Sequence, residues 1–466
     1  MRAMITAIIL AAGQGTRMKG GPPKVLHPIA GRPMVDYVVR AALDAGAHDA
    51  VVVVGCEREQ VVAHLQGAFP DVVRTVVQEP QRGTGDAVRC AMPALGHDCD
   101  TALLLYGDTP LLGKVELERL LQARAKDDAP LAMLTCMLDD PTGYGRIIRN
   151  EDGAIERVLE HCDASDAVRA IREVNPGMYA VRVDFLRSAL ESLRADNAQR
   201  ELYLTDAVAL AAARAPVAWF EAAAESLGGI NDRAQLAAAE EVMHARIADR
   251  WRRAGITVRA GARIDAQVEL APDALVDHGA VLRGRTRGGA RARIGVGVML
   301  DDVEVGEDAL IKPYSVCSQS SIGPRAQVGP FAHLRPDSRL DADAHVGNFV
   351  ETKKTHLGRG AKANHLAYLG DGEIGEEANV GAGTIFCNYD GFQKHRTVIG
   401  PKAFIGSDSQ LVAPVTVGAG AYVATGTTVT KDVPPDALAI ARPRQENKEG
   451  YAAKLRAKLG AGPKKP

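Results

Sequence analysis

The sequence has little net charge, few aromatic residues and no long apolar run. Its 56 Lys and Arg residues nearly balance 58 Asp and Glu residues, and the formal net charge of −2 argues against a nucleic-acid binder that relies on bulk electrostatics. No apolar run approaches the ~20 residues that span a membrane, so no membrane partner is expected. Aromatic residues make up 4% of the chain, whereas glycine contributes 47 residues, which favours folds with many tight turns.

Cysteine offers no structural framework either. The seven cysteines are scattered, odd in number and without a CxxC pair, which is typical of a reduced, cytoplasmic protein and predicts no metal framework. The start of the chain, MRAMITAIILAAG, resembles a short signal peptide in having an arginine before an apolar stretch. Because the stretch runs directly into a glycine loop, we interpret it as a buried first strand.

The first half of the chain alternates apolar strands with helices. At 466 residues, the chain is expected to form two or three domains. Strands are predicted at 5–13, 49–55, 73–79 and 101–108, and helices at 33–47, 58–65 and 84–95. Continuously apolar strands between helices indicate a mostly parallel sheet covered on both faces, which binds ligands beyond the carboxyl ends of its strands. Residues 232–253, rich in alanine and charge, predict a long helix linking two domains.

The second half has a repeat of six residues. Aliphatic residues recur at this step, often followed by glycine, at Ile322, Val328, Leu334, Leu340, Val346, Ile374, Val380, Ile399, Ile405, Leu411, Val417, Val423 and Val429. A helix has no period of six, whereas a three-sided coil places one inward aliphatic residue on each side and small residues at its corners. The repeat therefore predicts a parallel β-helix, with weaker units back to about residue 264.

The repeat loses its phase between Leu357 and Ile374. The intervening GRGAKANHLAYLGDGE (358–373) is predicted to be a loop, because interruptions of a solenoid usually map to loops at the binding face. His365 lies in this stretch, near Lys353, Lys354 and Lys362. Histidine is the natural general base near neutral pH, so we expect His365 to be catalytic.

The loop LAAGQGTRM (10–18) follows the first strand. Met18 stands where a dinucleotide-binding loop would have its third glycine, and no Walker-type GK[ST] follows, so the glycines alone favour a plain strand-to-helix turn. Arg17 and Lys24 add positive charge, which favours a phosphate-binding loop. Asp108, at the end of another strand, is a candidate Mg²⁺ ligand or a simple turn residue.

The motifs together resemble a known bacterial family. Five motifs resemble those of sugar nucleotidyltransferases: LAAGxGTRM with a downstream PK, GTGDA, YGDTPL, DDPTGYGRI and ESLGGIND. Five more narrow the resemblance to the bifunctional type: GPFAHLRP, GNFVETKK, NHLAYLGD, GAGTIFCNYDG and GSDSQLVAPV. The whole chain is similar to the bifunctional N-acetylglucosamine-1-phosphate uridylyltransferase and glucosamine-1-phosphate N-acetyltransferase family. The resemblance implies a Rossmann-like nucleotidyltransferase with a mixed, mostly parallel sheet at 1–231, a linker helix at 232–253, and a left-handed β-helix acetyltransferase with a basic tail at 254–466.

The resemblance also implies roles for individual residues of the first domain. Arg17 and Lys24 would handle the triphosphate, and Asp108 and Asn231 would bind Mg²⁺. The residues expected to bind UTP and the sugar are Leu10, Ala11, Ala12, Gly13, Lys24, Gln78, Gly83, Thr84, Tyr106, Gly107, Asp108, Gly143, Glu160, Asn175 and Asn231. Cys162 and Pro176 depart from the residues usual at these positions of the family.

In the second domain the resemblance implies an acetyl transfer site with His365 as its base. Glucosamine-1-phosphate would contact Arg335, Lys353, Tyr368 and Asn379. Acetyl-CoA, as co-substrate, would contact Ala382, Asn388, Tyr389, Ser407, Thr425 and Arg442, of which Thr425 replaces the usual alanine. The implied assembly is a homotrimer, and the product, UDP-N-acetylglucosamine, would feed peptidoglycan and lipopolysaccharide synthesis.

Two other functions compete with this one. The β-helix of a single nucleotidyltransferase could serve only regulation or assembly, but His365 and the HLAYLG stretch argue against that. A non-catalytic scaffolding subunit would not need Arg17, Lys24, Asp108 and Asn231 together, and all four are present.

Overall fold

A computed structural model describes residues 4–13, 15–55, 58–126 and 128–460 of the chain. The chain divides into an N-terminal unit, Met1–Asp249, and a C-terminal unit, Arg250–Pro466. Gln14 of the glycine loop, Cys56 and the end of the basic tail at 461–466 lie outside the described residues. The six cysteines that are described are free.

Ten described strands form the sheet of the N-terminal unit. Nine follow one another in the order Val73–Val77, Asp49–Val54, Met4–Ala11, Cys99–Tyr106, Tyr179–Arg182, Leu131–Met137, Glu173–Asn175, Gly145–Arg149 and Ile155–Leu159. The first four are parallel, as the alternation of strands and helices predicts. Tyr179–Arg182 is antiparallel to both its neighbours, and Ala218–Glu221 pairs in parallel with Leu131–Met137, so the sheet is mixed.

Helices cover both faces of this sheet. The described α-helices of the unit begin with Met34–Asp44, Arg58–Ala68, Thr84–Ala91, Lys114–Lys126, Asp166–Arg169, Val183–Ser192, Asp206–Ala212 and Ala224–Leu227, and the helix Arg233–Arg253 follows them. Short 3₁₀ turns occur at Thr16–Met18, Lys24–Leu26 and Met92–Ala94, and Pro28–Ile29 pairs with Arg32–Pro33. The helix predicted at 232–253 is thus present as Arg233–Arg253.

Two apolar cores lie on the two faces of the sheet. Strand Met4–Ala11 contributes Ile8 and Leu10 to one core and Ala7 and Ile9 to the other. Successive side chains of a strand point to opposite faces, so a continuously apolar strand is buried on both. This explains why the first segment of the chain is a central strand.

Short parallel strands build the C-terminal unit. In the described residues, 26 strands from Thr257–Val258 to Leu438–Ala439 pair coil upon coil into one parallel sheet. Longer strands are Met299–Val305, Val316–Ile322, His345–Lys353 and Lys362–Gly370, and the helix Tyr451–Gly460 follows the coils. The repeats begin at Thr257, somewhat before the expected residue 264. This is the predicted β-helix of hexapeptide repeats.

The aliphatic residues of the repeat fill the interior of the β-helix. All thirteen predicted positions from Ile322 to Val429 are buried. Glycine follows many of them because the next coil passes too close for a side chain: a Cβ on Gly323 would lie 2.6 Å from the carbonyl carbon of Asp341. The period of six therefore reflects one inward residue per side and one close approach of backbone at a corner.

The loop predicted at 358–373 is wrong. Residues Lys362–Gly370 form a nine-residue strand paired in parallel with His345–Lys353. The phase breaks because two successive coils are each one residue shorter: Gln327 pairs with His345 eighteen residues on, whereas His345 pairs with Lys362, and Lys362 with Asn379, after seventeen. The true insertion follows Cys387, since Asn379 pairs with Phe404, twenty-five residues on.

Candidate active sites

The carboxyl edge of the parallel strands holds a cavity of about 310 Å³ in the N-terminal unit. Strand ends at Ala11, Val77 and Tyr106 bring their following residues to this edge. The predicted residues that line the cavity are Leu10, Ala11, Ala12, Gly13, Lys24, Gln78, Gly83, Thr84, Tyr106 and Asp108. Gly107 lies between them, and its N–H donates to the Leu10 carbonyl at 2.9 Å.

The segment around Gly83 is shaped by backbone contacts. Gly83 has φ of +103°, and a Cβ there would lie 2.7 Å from the Leu202 carbonyl oxygen. The amide of Gln78 donates to the Gly83 carbonyl at 3.0 Å and to Asp86 at 3.1 Å, and Gln78 itself is buried. Glycine is therefore required here for steric reasons as well as for its conformation.

Four predicted residues from three distant segments meet at the mouth of this cavity. The Lys24 ammonium donates to Asp108 Oδ2 at 2.5 Å and to Asn231 Oδ1 at 2.8 Å, and the Arg17 guanidinium donates to the same Asn231 oxygen at 2.8 Å. Asn231 is held in turn, because its backbone N–H donates to Gln235 at 2.7 Å. Two cationic groups and two oxygen ligands thus form one cluster, which we call the Lys24 cluster.

The oxygens of the Lys24 cluster fit a hard divalent cation. Asp108 and Asn231 direct a carboxylate and an amide oxygen at the same ammonium, so both already converge on a positive charge. Mg²⁺ prefers such oxygens and completes its shell with water and substrate phosphates. In the described residues no group of three or more His, Cys, Asp or Glu side chains could hold a metal, so this pair would need phosphate oxygens as partners.

A second cavity of about 380 Å³ adjoins the first and shares Tyr106 and Asp108 with it. Of the predicted residues, Arg17, Gly143 and Asn231 also line it. Gly177 makes room for Tyr106, because a Cβ at Gly177 would lie 2.4 Å from the tyrosine ring. Burial, with the charges of Glu160 and Asp108, holds the pKa of Tyr106 well above its usual value.

Glu160 and Asn175 are outside the lining of these two cavities: Glu160 lines a third cavity of about 250 Å³, and Asn175 precedes Pro176 of the second. Asn175 is buried, donates to the Tyr179 hydroxyl at 2.6 Å and accepts from the Gly177 N–H at 3.0 Å. Glu160 accepts from the Thr205 hydroxyl at 2.9 Å. Burial raises the pKa of Glu160, and this outweighs the lowering effect of the Thr205 hydrogen bond.

Replacing Glu160 by glutamine is expected to stabilise the protein at neutral pH. A carboxyl pKa that is higher in the folded than in the unfolded state, where it is about 4.3, means that stability falls as pH rises through these two values. The gain for Glu160→Gln should be about 1 kcal/mol at pH 7 and should shrink toward pH 4. Thermal unfolding between pH 4 and 7 measures it, with Glu156→Gln as control, an exposed residue on the strand Ile155–Leu159 that Glu160 follows. A gain that does not change with pH would contradict the prediction.

Sequence reasoning missed several residues that line the two cavities: Gln81, Glu201, Thr142, Tyr144, Gly229 and Gln235. The side-chain amide of Gln81 donates to the Ala12 carbonyl and so holds the glycine loop. Most of these residues fall within or beside the motifs named above, such as DDPTGYGRI and ESLGGIND, so the motifs could have indicated them as site residues.

His365 of the C-terminal unit is exposed on strand Lys362–Gly370. Its Nδ1 lies 3.0 Å from Oδ1 of Asn348, the residue directly opposite on the neighbouring coil. An amide oxygen can only accept, so this nitrogen carries the proton, and Nε2 is left unprotonated in the neutral ring. The contact therefore selects the tautomer that a general base requires.

The predicted sugar-phosphate residues of this unit lie on adjacent coils. Arg335 pairs with Glu351 at 2.8 Å, and Glu351 is the register partner of Tyr368. Lys353 lies against Lys394, a residue of the insertion that the prediction missed, and this contact lowers the pKa of Lys353 most, ahead of burial. Asn379 is the register partner of Lys362. The Asp371 carboxylate acts on Lys353 more weakly than Lys394 does, so the two adjacent lysines remain suited to binding phosphate.

The predicted acetyl-CoA residues form two groups. Ala382, Ser407 and Thr425 follow corners of successive coils: the Ala382 carbonyl accepts from Asp408 at 2.7 Å and the Ser407 carbonyl from Gly426 at 2.8 Å. Arg442 closes this column by donating to the Thr425 carbonyl at 2.5 Å. Asn388 and Tyr389 lie in the insertion, where Asn388 donates to Asp371 at 2.5 Å.

Known proteins match the chain along its length. Residues 7–209 match the MobA-like NTP transferase domain family, and residues 396–431 match the bacterial transferase hexapeptide repeat. The bifunctional protein GlmU of Sorangium cellulosum (strain So ce56) is 63% identical over 466 residues, 99% of this chain and 98% of that protein. The GlmU proteins of Anaeromyxobacter dehalogenans (strain 2CP-C) and Trichlorobacter lovleyi are 50% and 47% identical, over 98% and 97% of this chain and 94% and 99% of theirs.

Proposed function

The chain belongs to the family of bifunctional GlmU proteins, uridylyltransferases and acetyltransferases of UDP-N-acetylglucosamine synthesis, and from that premise we propose which residues carry each activity. The N-terminal unit joins UTP to N-acetylglucosamine-1-phosphate and releases pyrophosphate. The C-terminal unit first makes that sugar phosphate by transferring the acetyl group of acetyl-CoA to glucosamine-1-phosphate. We retain 1–231 and 254–466 as the two domains and 232–253 as their linker, which contains the helix Arg233–Arg253.

The Lys24 cluster carries the proposal for uridylyl transfer. The sugar phosphate attacks the α-phosphorus of UTP, and this needs alignment and charge neutralisation rather than a protein nucleophile. The glycine loop and Gln78, Gly83 and Thr84 hold the nucleoside, while Lys24 and Arg17 turn from Asn231 and Asp108 to the triphosphate when it binds. Tyr106, its hydroxyl kept protonated by its raised pKa, lies between nucleotide and sugar.

Mg²⁺ is the proposed cofactor of this unit. Asp108 and Asn231 would hold it against the phosphates, where it would supply positive charge to the transferring group. On binding of the metal, Lys24 would give up its hydrogen bonds to Asp108 and Asn231 and would contact the triphosphate instead, so the two events would be coupled. Gly143, Glu160 and Asn175 remain the proposed sugar contacts.

His365 is the proposed base for acetyl transfer. The amine of glucosamine-1-phosphate must lose a proton as it attacks the thioester, and Nε2 of His365 accepts it because Asn348 holds the other nitrogen protonated. Arg335 and Lys353, with Lys394, anchor the phosphate, and Tyr368 and Asn379 contact the sugar. Acetyl-CoA lies along Ala382, Ser407, Thr425 and Arg442, with Asn388 and Tyr389 of the insertion beside it.

We propose a homotrimer built on one corner of the β-helix. Four residues, all with positive φ and all at least 49% exposed, occupy equivalent corner positions of successive coils: Tyr314, Phe331, Phe349 and Leu366. The first three rings stack at 5.4 and 5.6 Å. A second corner instead carries charged residues, which form the ion pairs Arg291–Asp308 and Arg325–Asp343. An exposed aromatic ridge next to His365 is suited to burial against a second copy of the chain.

Replacing Phe331 by aspartate is expected to break the trimer and reduce acetyl transfer at least tenfold at assay concentrations. Aspartate tolerates the left-handed backbone of this position, so the β-helix itself should remain folded. Light scattering and the rate of thiol release measure the two effects. Gln319→Asp, at an exposed left-handed position of another corner, is the matched control and should leave the trimer intact. A trimeric Phe331→Asp protein would contradict the proposed interface.

One assay tests the proposed function as a whole. The protein is incubated with glucosamine-1-phosphate, acetyl-CoA, UTP and Mg²⁺, and each is omitted in turn. Free thiol should require only the first two, whereas pyrophosphate should require all four unless N-acetylglucosamine-1-phosphate is supplied. Release of pyrophosphate without a sugar phosphate, or of no thiol in the complete mixture, would refute it.

The proposed setting is a cytoplasmic enzyme that supplies UDP-N-acetylglucosamine for peptidoglycan and lipopolysaccharide precursors. The scattered cysteines support a reducing compartment. In the part of the chain that is described, no helix is long and apolar enough to span a membrane.

A further inference from the structure

Arg146 is a buried cation whose charge none of the proposed reactions uses. Its side chain is 1% exposed, which is rare for arginine. Within the described residues it makes no ion pair; one Nη donates to the Tyr144 carbonyl, and Nε and the other Nη donate to the Arg169 carbonyl at 3.3 and 3.2 Å. The second Nη also lies 3.5 Å from His161 Nδ1. The Asp140 carboxylate acts on the Arg146 charge without forming an ion pair with it in the described residues. Burying a charge that is compensated so weakly is costly unless its hydrogens are bonded, so the neutral partners keep Arg146 in place.

The partners of Arg146 are the neighbours of the three proposed sugar contacts. Tyr144 follows Gly143 in the chain, and His161 follows Glu160. On the sheet, Arg146 is the register partner of Val174, which precedes Asn175.

Gly145, the residue before Arg146, lies directly beside two of the proposed sugar contacts. Gly145 pairs with Asn175, and a Cβ on Gly145 would lie 3.5 Å from the Glu160 carboxylate and 2.7 Å from Val158. The strand that holds Arg146 therefore lies next to all three proposed sugar contacts: its first residue, Gly145, pairs with Asn175, faces Glu160 and is two residues from Gly143.

We propose that Arg146 is a positioning residue that fixes the spacing of Gly143, Glu160 and Asn175 and thereby determines how tightly N-acetylglucosamine-1-phosphate is held, an inference that rests on the proposed function. The planar guanidinium donates in several fixed directions at once, so it ties the Tyr144 turn, the His161 turn and the end of the helix Asp166–Arg169 together. Lysine would keep the charge, but its single ammonium cannot serve all these acceptors in the same geometry. The UTP cavity is lined by other segments and does not depend on this tie.

The test compares Arg146→Lys with Arg149→Lys in the full-length protein. Arg149 lies on the same strand and bonds Glu173 at 2.9 and 2.6 Å and the Gly153 carbonyl at 2.8 Å, away from the cavity. Arg146→Lys should raise KM for N-acetylglucosamine-1-phosphate about tenfold or more, because small displacements of positioning groups have effects of this size. Its KM for UTP should stay within about twofold, and Arg149→Lys should change neither KM.

Further readouts separate positioning from stability. His161→Ala removes one weak partner and should raise KM for the sugar phosphate only about threefold, which keeps the test available if Arg146→Lys folds poorly. Hydrogen exchange should quicken at 141–145 and 160–163 in Arg146→Lys and stay unchanged at 10–13. An equal rise in both KM values, or an unchanged sugar KM in both variants, overturns the proposal. Absence of uridylyl transfer in the unmodified protein would instead refute the proposed function.

Discussion

His365→Ala should lose acetyl transfer by about 10²- to 10⁴-fold while uridylyl transfer continues unchanged. Without the imidazole, the attacking amine has no group to take its proton. The side chain is exposed, so its removal should not disturb the coil. Thiol release from acetyl-CoA and pyrophosphate release from UTP, measured on one preparation, separate the two activities.

Two further variants sharpen this test. His278→Ala, at an exposed histidine of an early coil, should keep both activities and so controls for loss of any imidazole. Asn348→Ala keeps His365 but removes the oxygen that holds its Nδ1 protonated, so it should reduce acetyl transfer by less than His365→Ala does. If His365→Ala retains acetyl transfer near the rate of the unmodified protein, the base has been assigned to the wrong residue.

Lys24→Met should lose uridylyl transfer by about 10³-fold while acetyl transfer continues. The substitution removes the charge that neutralises the triphosphate and leaves the Asp108 carboxylate without its 2.5 Å partner. Methionine is unbranched and keeps all but the last atom of the lysine chain length, so the packing around Gly15, which closely approaches the Lys24 Cβ, should survive.

The control for Lys24 is Lys114→Met, which changes an exposed lysine that pairs with Glu118. It should leave both activities intact. Asp108→Asn should resemble Lys24→Met in its loss and should also weaken the dependence of the rate on Mg²⁺ concentration. A Lys24→Met protein that keeps more than a tenth of the uridylyl transfer rate would contradict the role of the cluster. The expected losses in Lys24→Met and in His365→Ala would together show that each of the two activities can be removed without the other.

Local patterns predicted most of the fold because each was repeated several times. The apolar runs became Met4–Ala11, Asp49–Val54, Val73–Val77 and Cys99–Tyr106, all parallel neighbours. The six-residue step predicted the β-helix because thirteen residues share one physical requirement, burial inside the coil. The pattern failed at 358–373, where two successive coils, each shorter by one residue, shifted the phase without breaking the strand.

The sequence by itself determined which segments are strands, which half of the chain is a repeat, and, through the family resemblance, which residues to examine. Only the tertiary structure decided which of them meet. Lys24 contacts Asp108 and Asn231 across 84 and 207 residues of chain, and Arg146 touches the neighbours of Gly143, Glu160 and Asn175. Periodicity reports whether each residue faces water or the interior, which is a local property. Contacts between distant segments depend on strand order and register, and these follow from the packing of the whole sheet.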